Sequence, residues 1–155
     1  MKLIITLIVV SFSFTAFSQD ETALRRRNYH HDNYLALNEF DPVSYFKGSR
    51  PLKGSSTHKY VYQGIMYYFS SQANLDEFKA DPAKYEPAYG GWCAWSMAQD
   101  GSREKASPVT YKIMDGKLYL FSNFNGRNTM LQWNKSPAKY RADADNFWKK
   151  KWGGI

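Results

Sequence analysis

Cys93 is the only cysteine in 155 residues and the side chain best equipped for chemistry. It follows Tyr89-Gly90-Gly91-Trp92, where the paired glycines mark a loop. Trp92 to Ala98 is predicted as a short helix, with Cys93 in its first turn. Unpaired backbone N–H groups and the helix dipole would favour a thiolate there. Met97 lies four residues on, so both sulfurs would face one way. A histidine from elsewhere would complete a soft-metal set suited to copper(I). His58, just before the first predicted hairpin, is the first candidate.

The same thiol could also act alone in catalysis, passing through a sulfenic acid or a mixed disulfide. It could equally be core, since unpaired cysteine is often buried and Trp92, Trp95 and Met97 would pack around it. Three functions follow: a soft-metal or small-ligand binding module on Cys93, Met97 and His58; a single-thiol redox protein using Cys93; and a structural or interaction domain. Binding ranks first, because a lone thiol has no resolving partner in its own chain.

Other chemistries find no support. One cysteine makes neither an internal disulfide nor a four-thiolate zinc cage. The carboxylates are scattered, without the paired spacing of acid–base catalysis. Ser44, Ser70 and Ser71 lack a Gly-x-Ser-x-Gly context, and there is no glycine-rich phosphate loop. His30 and His31 are adjacent and diverge in an extended chain. The chain reads as a non-enzyme.

The elements that must position Cys93 come next. Residues 1–19 read as a signal peptide: Lys2, an apolar run from Leu3 to Phe14, and Ala16-Phe17-Ser18 before a cut at Gln19. The run is short for a membrane span, so the mature protein is expected in the periplasm or outside the cell, without a transmembrane segment. Residues 20–33, with Arg25-Arg26-Arg27, read as a flexible lead-in, and 34–152 as one domain. The formal charge of +7 suits a well-solvated surface, and export argues against nucleic acid.

Within the domain, Tyr60-Val61-Tyr62 and Ile65 to Phe69 flank Gln63-Gly64 as a hairpin, followed by a helix over Gln72 to Lys79. Tyr111 to Met114 and Lys117 to Phe121 flank Asp115-Gly116 as a second hairpin, followed by a short helix from Asn128 to Trp133. Gly64 and Gly116 are 52 residues apart, as are Tyr67 and Tyr119. Pro-Ala-Lys-Tyr occurs at 82–85 and again at 137–140. The spacing suggests an α+β domain of two hairpin–helix units, neither able to bury its aromatic face alone. Tyr140 to Trp152 closes it as a helix with a basic end.

Phe40-Asp41-Pro42-Val43-Ser44-Tyr45-Phe46, Phe78 to Pro87, and Tyr89-Gly90-Gly91-Trp92-Cys93-Ala94 together resemble the secreted branch of the YHS-domain family. The resemblance runs over roughly 110 residues in order and spacing. Short YHS segments beside heavy-metal transport ATPases imply metal binding, through cysteines in Asp-Pro-Val-Cys and Phe-Cys-Ser-x-x-Cys. Those positions here are Ser44, Ser70 and Asn74, so the thiolate set does not carry over. In the secreted branch the residue at Cys93 is sometimes selenocysteine, which implies chemistry in relatives.

Overall fold

The computed structural model describes residues 13–154, with side chains from Asp20 onward. The expected leader falls for residues 1–12 outside the described residues, and its remainder lies in the first helix. Helix α1 spans Ser13–Asn28. Two short strands follow, β1 (His31–Asp32) and β2 (Leu35–Ala36). The first hairpin is β3 (Ser55–Tyr62) with β4 (Ile65–Phe69), then α2 (Gln72–Ala80) and α3 (Pro82–Tyr85). Helix α4 (Ala94–Asp100) precedes the second hairpin, β5 (Ser107–Met114) with β6 (Lys117–Phe121). A small ribbon, β7 (Asn123–Phe124) with β8 (Arg127–Asn128), leads to α5 (Thr129–Trp133) and α6 (Pro137–Trp152).

The fold is α+β, two antiparallel hairpins each followed by helices. The first sheet has the order β1-β2-β4-β3, with β2 parallel to β4, and β5-β6 stands as a separate pair. The turns explain the hairpins. Gln63 and Gly64 have φ of 44° and 84°, and Asp115 and Gly116 have 49° and 72°. Positive φ at both central residues gives the turn a twist that matches the strands.

The two units repeat each other in register. Tyr60 pairs with Tyr67 and Val61 with Met66 in the first hairpin. Lys112 pairs with Tyr119 and Ile113 with Leu118 in the second. Each hairpin slips once, between Ser55 and Lys59 and between Ser107 and Tyr111, and these too are 52 residues apart. The cores repeat as well. Phe78 on α2 meets Tyr67, Phe69 and Tyr85 at centroid distances of 5.0, 5.2 and 6.4 Å. Trp133 on α5 meets Tyr119, Phe121 and Tyr140 at 5.8, 5.4 and 6.1 Å. Both hub residues are fully buried, so each unit is organised on one ring contributed by its helix.

Serine and asparagine hydroxyl or amide oxygens cap the helices where the sequence predicts. Ser71 accepts from the Asn74 N–H at the start of α2, and Asn128 accepts from Met130 at the start of α5. Helix α4 begins two residues later than the spacing suggests, which leaves Cys93 as its N-cap residue.

The lead-in differs from expectation. Residues 20–28 are helical, and Arg25 and Asn28 are buried. The Asn28 side-chain amide donates to the Trp152 carbonyl at 2.8 Å, and the Trp92 indole N–H donates to the Asn28 carbonyl at 2.6 Å. Local composition made this stretch look like a solvated arm. Its partners lie 64 and 124 residues away, beyond any local pattern. Among the described residues no helix is long and apolar enough to cross a membrane.

Candidate functional site

Asp41 is fully buried, and its carboxylate holds the first unit together. Oδ1 accepts from the Val43 N–H at 2.9 Å and the Ser44 N–H at 3.3 Å. Oδ2 accepts from the Ser70 N–H at 2.9 Å, the Ser70 hydroxyl at 2.6 Å and the Asn74 side-chain amide at 2.6 Å. A carboxylate has about four acceptor positions, so this one is saturated. Lys47 then donates to the Asn74 amide oxygen at 2.9 Å, and the Ser44 hydroxyl accepts from the Leu52 N–H at 2.9 Å.

Ser44, Ser70 and Asn74 are the three positions at which the resemblance places thiolates in metal-binding relatives. The structure brings all three to one carboxylate. Their donor atoms are hard oxygens and an amide, and their hydrogens are spent on Asp41 or on backbone. Soft metals select thiolate and thioether, so this set does not fit one.

Cys93 occupies the corresponding place in the second unit. Asp41 and Cys93 are 52 residues apart, and so are their backbone partners: Asp41 N–H donates to Leu52 O and Cys93 N–H to Glu104 O, each at 2.9 Å. Ser122, the counterpart of Ser70, donates its N–H to Cys93 Sγ at 3.3 Å. Thr129, in the place of Asn74, sits at 3.3 Å from Sγ through its hydroxyl. That hydroxyl's one proton goes to the Ser122 carbonyl at 3.0 Å, so the thiol donates to Thr129.

The thiol is therefore fully buried and hydrogen-bonded on both sides, turned away from the N–H groups of its own helix. Met97 is also fully buried, one turn on, with its N–H on the Cys93 carbonyl at 3.0 Å. His58 stands on β3 of the first unit, with its Nδ1 buried and unpartnered among the described residues. Among the described residues no group of three or more His, Cys, Asp or Glu side chains could hold a metal ion.

The sequence reading missed a second cluster. Arg25 and Glu86, 61 residues apart, form an ion pair with both side chains almost wholly buried, at 4% and 7% exposure. Glu86 Oε1 also accepts from the Tyr67 hydroxyl at 2.6 Å, and Arg25 donates to the Tyr29 hydroxyl at 2.8 Å. Burial, followed by the Glu86 charge, holds the Tyr67 phenol well above its usual range. Arg25 Nε has no partner among the described residues.

This cluster heads an open groove of about 410 Å³ between the two units. Lys117 on β6 lines it half-buried, donating to the Ala83 carbonyl at 2.7 Å. Burial lowers the Lys117 pKa, more than Glu86 and Asp81 raise it. Tyr89 closes one side and donates to Asp145 on α6 at 2.9 Å. Only the buried Glu86, in the turn after Pro-Ala-Lys-Tyr, gave any signal in the sequence, since glutamate is almost never fully buried unless paired.

A protein-family model described as the YHS domain matches residues 43–89, the first unit and the link to the second. That match supports placing this chain among YHS domain-containing proteins. No curated protein and no solved structure matches the chain.

Proposed function

We propose that this chain is an exported, non-catalytic module of the secreted YHS branch that binds a small organic molecule in the groove between its two units. The observation that carries this reading is the convergence there of a buried Arg25–Glu86 pair, the half-buried Lys117 and tyrosine walls around about 410 Å³. Small-molecule sites are concave, of about 300–1,000 Å³, with few polar groups set among rings. A buried ion pair is weak evidence for stability, because desolvation offsets its attraction. Its place at the head of a groove fits a binding role better.

Of the three functions open to Cys93, the position of its thiol supports the structural one. Sγ is engaged by Ser122 and Thr129, and the same place in the first unit is filled by Asp41. A soft-metal site on Cys93, Met97 and His58 would need the thiol released from both bonds. Export, and the absence of a nucleic-acid partner, stand as part of the proposal on the leader and the charge.

Amide NMR spectra of the protein titrated with a panel of small organic acids, amines and amides test this reading. Saturable shifts at Ala83, Glu86, Tyr89, Lys117 and Tyr119 are expected. Shifts confined to other surfaces, or none with any member of the panel, would sink it.

A further inference from the structure

We infer that the groove takes a small organic anion, a carboxylate carried on a flat ring; this rests on the groove being the binding site. The acceptors and donors around it are not equally satisfied. Glu86 is neutralised by Arg25 and bonded by Tyr67. Asp145, on the exposed rim, already accepts from Tyr89. Lys117 is the exception. It makes no ion pair among the described residues, and of the three N–H groups of an ammonium one goes to the Ala83 carbonyl.

Removing part of the ammonium's water without supplying a carboxylate is costly, and the lowered pKa of Lys117 expresses that cost. An anion entering the groove would relieve it. The unpartnered Arg25 Nε adds a second unmet donor in the same lining, so both deficits have the same sign. A ligand cation would meet the opposite situation, because the buried carboxylate is already paired.

The rings decide the rest of the molecule. Tyr62, Tyr89 and Tyr119 all line the groove, reaching it from the first hairpin, the inter-unit link and the second hairpin. Tyrosine faces accept a flat apolar body by offset or edge contact. One ammonium in a space of this size suits a single carboxylate on one ring rather than a large polyanion.

The test compares benzoate, benzamide and benzylammonium, three probes of one shape and different charge, by amide NMR and calorimetry at pH 7. Benzoate is expected to bind in the groove at least tenfold more tightly than the other two. Lys117→Met should weaken benzoate at least tenfold and leave benzamide unchanged, while Lys117→Arg should restore most of the affinity. Thermal unfolding of both variants within a few degrees of the parent shows that they are folded.

Benzamide or benzylammonium binding in the groove as tightly as benzoate would overturn the anion assignment and leave the binding module standing. Benzoate affinity unchanged in Lys117→Met would overturn the anchor. If none of the three shifts the groove residues, the binding reading falls with it.

Discussion

Asp41→Ala removes the acceptor on which five hydrogen bonds of the first unit end. The Ser44 N–H keeps a second acceptor in the Asp41 carbonyl, and the Ser70 hydroxyl can turn elsewhere. Three donors are then left: the N–H groups of Val43 and Ser70 and the Asn74 amide. Each buried group left unpaired costs about 1–3 kcal/mol. Allowing for relaxation and for the carboxylate's own desolvation, the loss is expected near ~4 kcal/mol, at the upper end for a single substitution. Urea unfolding followed by tryptophan fluorescence reads it directly. At a slope of about 2 kcal/mol/M the midpoint falls by about 2 M.

Asp41→Asn should cost nearly as much, because an amide N–H would then face donors. Asp76→Ala, an exposed carboxylate on the same unit, serves as the control and should change stability by less than about 0.5 kcal/mol. A midpoint shift under about 0.5 M for Asp41→Ala, with unchanged slope, would refute the view that this carboxylate ties the first unit.

Cys93 in the folded protein should resist alkylation from pH 5 to 9 and label only on unfolding; fast labelling in native buffer would contradict its buried, doubly bonded thiol. His30 stacks on Trp92 at 4.5 Å, and burial, then Lys105 and His31, lowers its pKa. The unfolded state therefore binds the proton more readily, so stability is present above the unfolded value near 6.5 and falls as pH drops through it. His30→Gln should flatten that part of a stability–pH curve, and an unchanged slope would exclude His30 as its source. Gly54→Ala would put a Cβ at 2.4 Å from the Tyr68 backbone, whereas at Gly126 nothing lies within 4 Å. The first change should lower stability by more than about 2 kcal/mol and the second by about 1 kcal/mol, from its positive φ alone. Thermal unfolding that ranks them the other way would contradict the packing around Gly54.

The sequence by itself determined the two hairpins and their helices. Turn residues, alternating rings and capping side chains all act over a few residues, and the 52-residue spacing carried the pattern from one unit to the next. It also carried the ring hubs, since Phe78 and Trp133 follow their hairpins at matched places. The equivalence of Asp41 and Cys93 was hidden, because a carboxylate and a thiol share no sequence signature. They became counterparts only when the same backbone partners were seen to meet them.

Tertiary structure alone decided the rest. The Arg run looked like a solvated arm until Arg25 met Glu86 across 61 residues. The groove needs α1, the link between units, β6 and α6 to converge, and no one of them announces it. Hydrogen bonding and charge pairing act over a few ångströms in space without regard to chain distance. Local pattern therefore fixes which elements form, and packing fixes which side chains meet.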